Sequence, residues 1–168
     1  MADITDVIAA HNAFIARWQA AFTHLARHDG GPASRQARAA AWDELAALIE
    51  LHLDAEDEIC GPAVCRAGPD GPGRVRGMRG GHDDVREILR EARLQPAGSP
   101  LWQQLTAAAL AAWASLPGRE EHGILDDLRR AGPALRRLLA RQWQAFIAAQ
   151  IRDQDQTARG PRARHPTA

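Results

Sequence analysis

The side chains in this sequence with metal-ligand or acid–base chemistry to offer are its histidines and a few acids placed among them. On a wheel of 100° per residue, His11 falls in the middle of an apolar face formed by Val7, Ile8, Phe14, Ile15 and Trp18. His24 and His28 fall on the opposite side. His52 and Glu56 are four apart, so they stack on one face with Leu45, Leu48, Ile49 and Ile59, while Asp54 and Glu58 point away. His82 shares a face with Val85 and Leu89. Three amphipathic segments therefore each aim an imidazole inward, one of them with a carboxylate a turn further on. A buried ionisable group is costly unless it is paired or holds a metal. One inward histidine is ordinarily a hydrogen-bonded core residue; three on separate segments, with a carboxylate, point to a metal. Imidazole and carboxylate together suit iron, and the cores of helical bundles are where such sites are built.

The elements that must position these groups read as helices. Ile4, Val7, Ile8, His11, Phe14, Ile15, Trp18, Phe22 and Leu25 step by three and four, which predicts a helix over about 3–28, stopped by Asp29-Gly30-Gly31-Pro32. A second runs from near Ser34 to about Cys60, with Ala41, Leu45, Leu48, Ile49, His52, Glu56 and Ile59 as its stripe and Gly61-Pro62 as its end. The glycines and prolines of 66–81 predict a long exposed loop. A third helix is expected over about 80–95, with Met78, His82, Val85 and Leu89 on one face. A fourth is expected from Leu101 to about Ala131, kinked or split at Pro117. Leu135, Leu138, Leu139, Trp143, Phe146 and Ile147 mark a fifth amphipathic stretch. The polar, Arg-rich 152–168 reads as a disordered tail. The fold expected is all-α: an antiparallel up-down four-helix bundle over 1–131, a C-terminal helical extension over 132–151, and the tail.

Composition removes several classes of function. The 168 residues are 45% hydrophobic and 25% charged, with 21 basic and 21 acidic residues, so there is no global basic field for nucleic acid. All 21 basic residues are Arg, which excludes a Schiff-base or P-loop lysine, and the absence of Tyr excludes phenolic acid–base chemistry. The arginines of 136–141 and the tail read as a solvated face. Trp18, Trp42, Trp102, Trp113 and Trp143 read as core or interface filling. Cys60 and Cys65, five apart, form neither a CxxC pair nor a disulfide framework and are expected as thiols in a reducing cytosol. No signal-peptide pattern opens the chain and no apolar run approaches the ~20 residues that span a bilayer, so a cytoplasmic protein without membrane contact is expected.

The run Leu48-Ile49-Glu50-Leu51-His52-Leu53-Asp54-Ala55-Glu56-Asp57 with Pro62 beyond it, Asp6-Val7-Ile8 leading to His11, and Gly81-His82-Asp83-Asp84 resemble the hemerythrin-like (HHE cation-binding) family over about 3–131. The resemblance implies a four-helix bundle around a non-haem di-iron centre held by histidines and bridged by two carboxylates, one from helix 2 and one from helix 4. It places His11, His52, Glu56 and His82 at ligand positions. Helix 4 departs from the pattern. In the register that makes Glu120 the bridging carboxylate, the histidine position is Leu116, beside Pro117-Gly118. A rival register uses His122 with Asp126 or Asp127. The wheel favours Glu120, which lies nearer the Ile124/Leu128 face, over His122, which lies alongside Arg129.

With Leu116 at that position one iron loses an imidazole. The site then reads as one non-haem iron with open positions, as two with the gap filled otherwise, or as a decayed site on a persisting scaffold. The function expected is iron binding for dioxygen, or another small diatomic ligand, or sensing of oxygen, iron or redox state. The alternative is a metal-free or weakly metal-binding helical interaction module. Enzymatic turnover at the centre ranks below both. That no Glu is followed three residues later by His argues against a ferritin or an oxygenase of that di-iron type.

Overall fold

The computed structural model describes residues 3–27, 31–67, 69–120 and 124–158. Helix α1 spans Ile4–Arg27 and α2 spans Pro32–Ala55. A π-helical turn, Glu56–Cys60, and a short helix α3, Gly61–Cys65, continue α2 without a break. Then come α4, Gly71–Arg93, α5, Pro100–Glu120, α6, Ile124–Arg130, and α7, Pro133–Ala158. No strand occurs among the described residues, as the patterning predicts.

Proline explains where the boundaries differ from expectation. Pro32, Pro72, Pro100 and Pro133 each stand in the first turn of a helix, where the missing N–H would have had no partner and the fixed φ is already helical. Gly61-Pro62 does not end the second helix, which widens into the π-helical turn before Pro62 and runs on to Cys65. Nor is 66–81 a long loop: Gly71-Pro72 opens α4, and Val75 and Met78 are buried along its first turns. The chain approaches itself closely there. A Cβ on Gly71 would stand 2.3 Å from the Val64 carbonyl oxygen and 2.8 Å from that of Cys65. The fourth helix stays helical through Pro117 to Glu120, and α6 follows after residues 121–123. Helix α7 continues to Ala158, seven residues into the stretch expected to be a disordered tail.

Two apolar clusters fill the interior. One joins Ile15 and Phe22 of α1, Trp42, Leu45, Ile49 and Leu53 of α2, Val85 and Leu89 of α4, and Trp102, Ala109, Trp113 and Leu116 of α5. The other joins Ile4 and Ile8 of α1, Cys60 and Val64, Val75 and Met78 of α4, Leu128 of α6, and Leu139 and Trp143 of α7. Helix α7 thus packs into the bundle through Leu139, Ala140 and Trp143, while Leu135 and Leu138 of the expected stripe are exposed. Arg93 meets Glu50 with two 2.8 Å hydrogen bonds, and Arg86 reaches Asp54 at 2.8 Å, holding α2 and α4 side by side. Cys60 is buried and Cys65 is exposed. No described helix is long and apolar enough to cross a membrane.

Candidate metal centre

Between the two dry clusters lies one polar layer. On α1 the sequence passes from Ile8 through His11 to Ile15, and on α4 from Met78 through His82 to Val85. Where α2 runs into the π-helical turn, His52 and Glu56 flank the change from Leu53 in one cluster to Ala55 and Cys60 in the other. His52, Glu56 and His82 are 1%, 4% and 0% exposed, and His11 is half-buried.

Glu56 sits at the centre of the layer. Its Oε1 lies 3.1 Å from His52 Nε2 and its Oε2 lies 3.2 Å from His82 Nε2. The His11 ring stands beside that of His52, 5.2 Å between centroids. Trp113 of α5 and Trp143 of α7 wall the His52 ring edge-on, at 5.1 and 5.2 Å. These rings form the apolar wall of the site. Phe14 is 38% exposed, and it lines an outer cleft with Trp18 and Leu48.

His82 is gripped from both sides. Its Nδ1 lies 3.1 Å from Asp57 Oδ1, and Asp57 Oδ2 accepts from Arg86 Nη2 at 2.8 Å. Burial alone would raise the Asp57 carboxyl; hydrogen bonds to His82 and Arg86 hold it below its usual range. With Asp57 ionised, Nδ1 is the donor, and Nε2 turns toward Glu56. A carboxylate behind a histidine fixes its tautomer and strengthens the far nitrogen as a ligand. Burial likewise opposes ionisation of Glu56, but the charge of His52, its hydrogen bond and the neighbouring His82 imidazole hold the carboxyl well below the usual carboxylate range. For His11, burial first and the neighbouring His52 second lower the pKa from 6.5 to about 4, so the ring is neutral, as a metal ligand must be.

The local fold accounts for this convergence. Pro62 cannot donate, and its ring would press on the carbonyl four residues back, at Glu58. The turn before it widens, so that the Gly61 N–H bonds to the Glu56 carbonyl five residues behind. Glu56 and Asp57, neighbours in that wide turn, then address opposite nitrogens of one imidazole. Wide turns of this kind within α-helices cluster at functional sites.

His11, His52, Glu56 and His82 are thus brought into one layer. The Glu120 side chain and all of His122 lie outside the described residues. Leu116, the position at which helix 4 departs from the pattern, is buried and pressed onto α4 next to His82: a Cβ on Gly81 would stand 3.0 Å from Leu116 Cδ2. Asp126 and Asp127 are engaged elsewhere. Asp127 accepts from Arg74 Nε at 2.7 Å, and Asp126 pairs with Arg129 at 3.2 Å. His24 is exposed, as the wheel predicts. Sequence reasoning passed over Asp57, Arg86, Trp113 and Trp143. The signal for the first two was present: Arg86 follows His82 by four, opposite the acids Asp54 and Asp57 on an antiparallel neighbour.

Among the described residues, no group of three or more His, Cys, Asp or Glu side chains is already spaced to hold a metal ion. Glu56 itself fills the space between the imidazoles. The donor chemistry nevertheless fits a metal. Each N···O gap at Glu56 must hold a cation, a proton or a metal ion, and their 3.1 and 3.2 Å lengths are close to the edge between adjacent ligands, about 3 Å for bonds of about 2.1 Å at right angles. The Nδ1 atoms of His11 and His52 are buried with no hydrogen-bond partner in the described structure.

Comparison with curated proteins and with solved structures gave no match. A family model described as the hemerythrin HHE cation-binding domain matches residues 3–116, a span that contains His11, His52, Glu56 and His82 and ends before Glu120. That span is more than half of the chain and covers the helices that build the polar layer: the chain belongs to the hemerythrin HHE cation-binding domain family.

Proposed function

We propose that this protein binds non-haem iron in the polar layer, as one or two ions, and uses it to bind dioxygen or another small diatomic ligand or to sense oxygen, iron or redox state. His11, His52, His82 and Glu56 would hold the metal, with Glu120 as the helix-4 carboxylate and His122 as its competitor. The observation that carries this reading is the Glu56 carboxylate set between the Nε2 atoms of His52 and His82, with Asp57 behind His82. When bound, ferrous iron supplies reversible electron transfer to a diatomic ligand at an open position. The chain supplies the rest. Asp57 keeps the His82 proton on Nδ1; Trp113 and Trp143 restrict water. The balance of 21 basic and 21 acidic residues, with no global basic field, fits a cytoplasmic setting without nucleic acid.

Leu116 favours a second reading, a metal-free helical interaction module, because it puts an apolar side chain where the family pattern has an imidazole. One experiment separates the two. Purified protein reconstituted with ferrous iron under nitrogen, then desalted, is analysed for iron and its absorption recorded before and after air. At least half an equivalent of iron, lost in His52→Ala, supports the metal reading. No iron in the parent protein, with a melting curve indifferent to chelator, supports the module.

A further inference from the structure

Arg38 is the one arginine that the fold buries among the described residues, with 6% of its surface exposed. The less buried Arg74, Arg86 and Arg136 all have carboxylates, Asp127, Asp57 and Asp3, within 3.2 Å. Arg38 has none: its Nε is buried without a partner, and no described carboxylate reaches its guanidinium. The sequence explains why. Three and four residues away on α2 stand Ser34, Arg35, Ala41 and Trp42, none acidic. A guanidinium stays charged at any physiological pH, and an unpaired buried charge is strongly unfavourable. An anion is the missing partner.

Beside Arg38 lies a cavity of about 390 Å³ between α1, α2 and α5. That volume falls in the range of small-molecule sites, as does the lining, apolar with few polar groups. Phe22 and Trp102 supply ring faces, and Ala107 and Leu110 close one side. The hydroxyls of Thr23 and Thr106 already donate to the Gln19 and Gln103 carbonyls at 2.8 and 3.1 Å, which leaves them as acceptors. Gln103 donates to the Gly98 carbonyl at 3.2 Å. The guanidinium is therefore the charged donor of the cavity. It lies fourteen residues before His52 on α2, about 21 Å along the helix axis from the polar layer.

We propose that this cavity is a second ligand site, separate from the metal centre, for a small organic carboxylate with a flat apolar body. The carboxylate pairs with Arg38, and the body lies against Phe22 and Trp102. The test uses the full chain in excess chelator, so that no metal competes for the carboxylate. Binding of 1-naphthoate, its uncharged analogue 1-naphthalenemethanol and inorganic phosphate is measured by calorimetry. Naphthoate should bind one to one, about ten- to a hundredfold tighter than the alcohol, as a charge-assisted pair requires, and phosphate should show no heat. Arg38→Met should bring naphthoate down to the level of the alcohol. Ala107→Phe, which plugs the cavity from an exposed position, should remove both ligands and carries the test if Arg38→Met does not fold. The proposal is overturned if neither probe binds, if naphthoate binds no tighter than the alcohol, or if either variant binds naphthoate as the parent does.

Discussion

Asp57→Asn separates the support of the polar layer from the layer itself. The substitution keeps shape and removes one charge. The amide it introduces can accept from His82 Nδ1 only by turning its NH₂ group toward the Arg86 cation, so one of two charge-assisted bonds, at 3.1 and 2.8 Å, is lost and the other weakened. Each such bond contributes about 1.5–3 kcal/mol where it is buried. Asp57 and Arg86 retain 15% and 24% side-chain exposure, and solvent screening reduces the combined loss to about 2 kcal/mol. For a chain of this length that corresponds to a melting temperature lower by about 4–8 °C in the metal-free protein. Iron binding should suffer separately. Removing a carboxylate that orients a ligating histidine typically costs about ten- to a hundredfold in metal affinity. The assay is anaerobic competition for ferrous iron against a chromophoric chelator, beside urea melts in excess chelator. Loss of stability with unchanged iron affinity would refute the reasoning, since Asp57 would then be a helix-to-helix clamp with no bearing on His82 as a ligand.

Other consequences follow from single contacts. Leu116→His restores the imidazole of the family pattern on helix 4; the metal-free protein should lose about 2–4 kcal/mol from a buried polar group in an apolar seat, and iron loading should recover it with higher stoichiometry, read by melts with and without ferrous iron. Gly71→Ala sets a methyl against the backbone carbonyls of Val64 and Cys65, which cannot move aside, and should cost about 2–4 kcal/mol in urea denaturation. In excess chelator, stability should fall as pH drops from 6.5 toward 4. Folded His11 binds its proton only near pH 4 whereas the unfolded ring does so near 6.5, so the unfolded state takes up more protons across that window. The shift sets a ceiling of about 3 kcal/mol, reduced to about 1–2 by the solvent contact of a half-buried ring, and His11→Phe should flatten this limb of the pH profile.

The positions of His11, His52, Glu56 and His82 were legible because helical period alone decides which face a residue occupies. Three apolar stripes, interrupted at His11, at His52 and Glu56, and at His82, sufficed to place them in one interior. Asp57 was not legible for the same reason. Adjacent residues on a regular helix point 100° apart, and only the widened turn before Pro62 lets Glu56 and Asp57 address the same ring. The wall of the site is not legible in the sequence because the wheel shows which way a side chain faces and not which neighbour it meets. Trp113 and Trp143 come from helices late in the chain, and their approach to His52 depends on how α5 and α7 are laid down. Proline was read as punctuation in one sense only. Gly-Pro pairs taken as stops open helices here, which moved the start of α4 nine residues earlier than the apolar stripe had indicated. Arg38 was overlooked because an arginine in an Arg-rich chain looks like surface, and its lack of an acid at three or four residues' distance gains meaning only once it is buried.

The central claim is that iron occupies the layer where Glu56 stands between two imidazoles. Anomalous diffraction at the iron edge, on crystals of the ferrous-loaded full chain, tests it most directly. The account predicts an iron peak within bonding distance of Glu56 and the Nε2 atoms of His52 and His82, absent in crystals of His52→Ala. A map with no peak there, or with iron only at surface carboxylates, would contradict it.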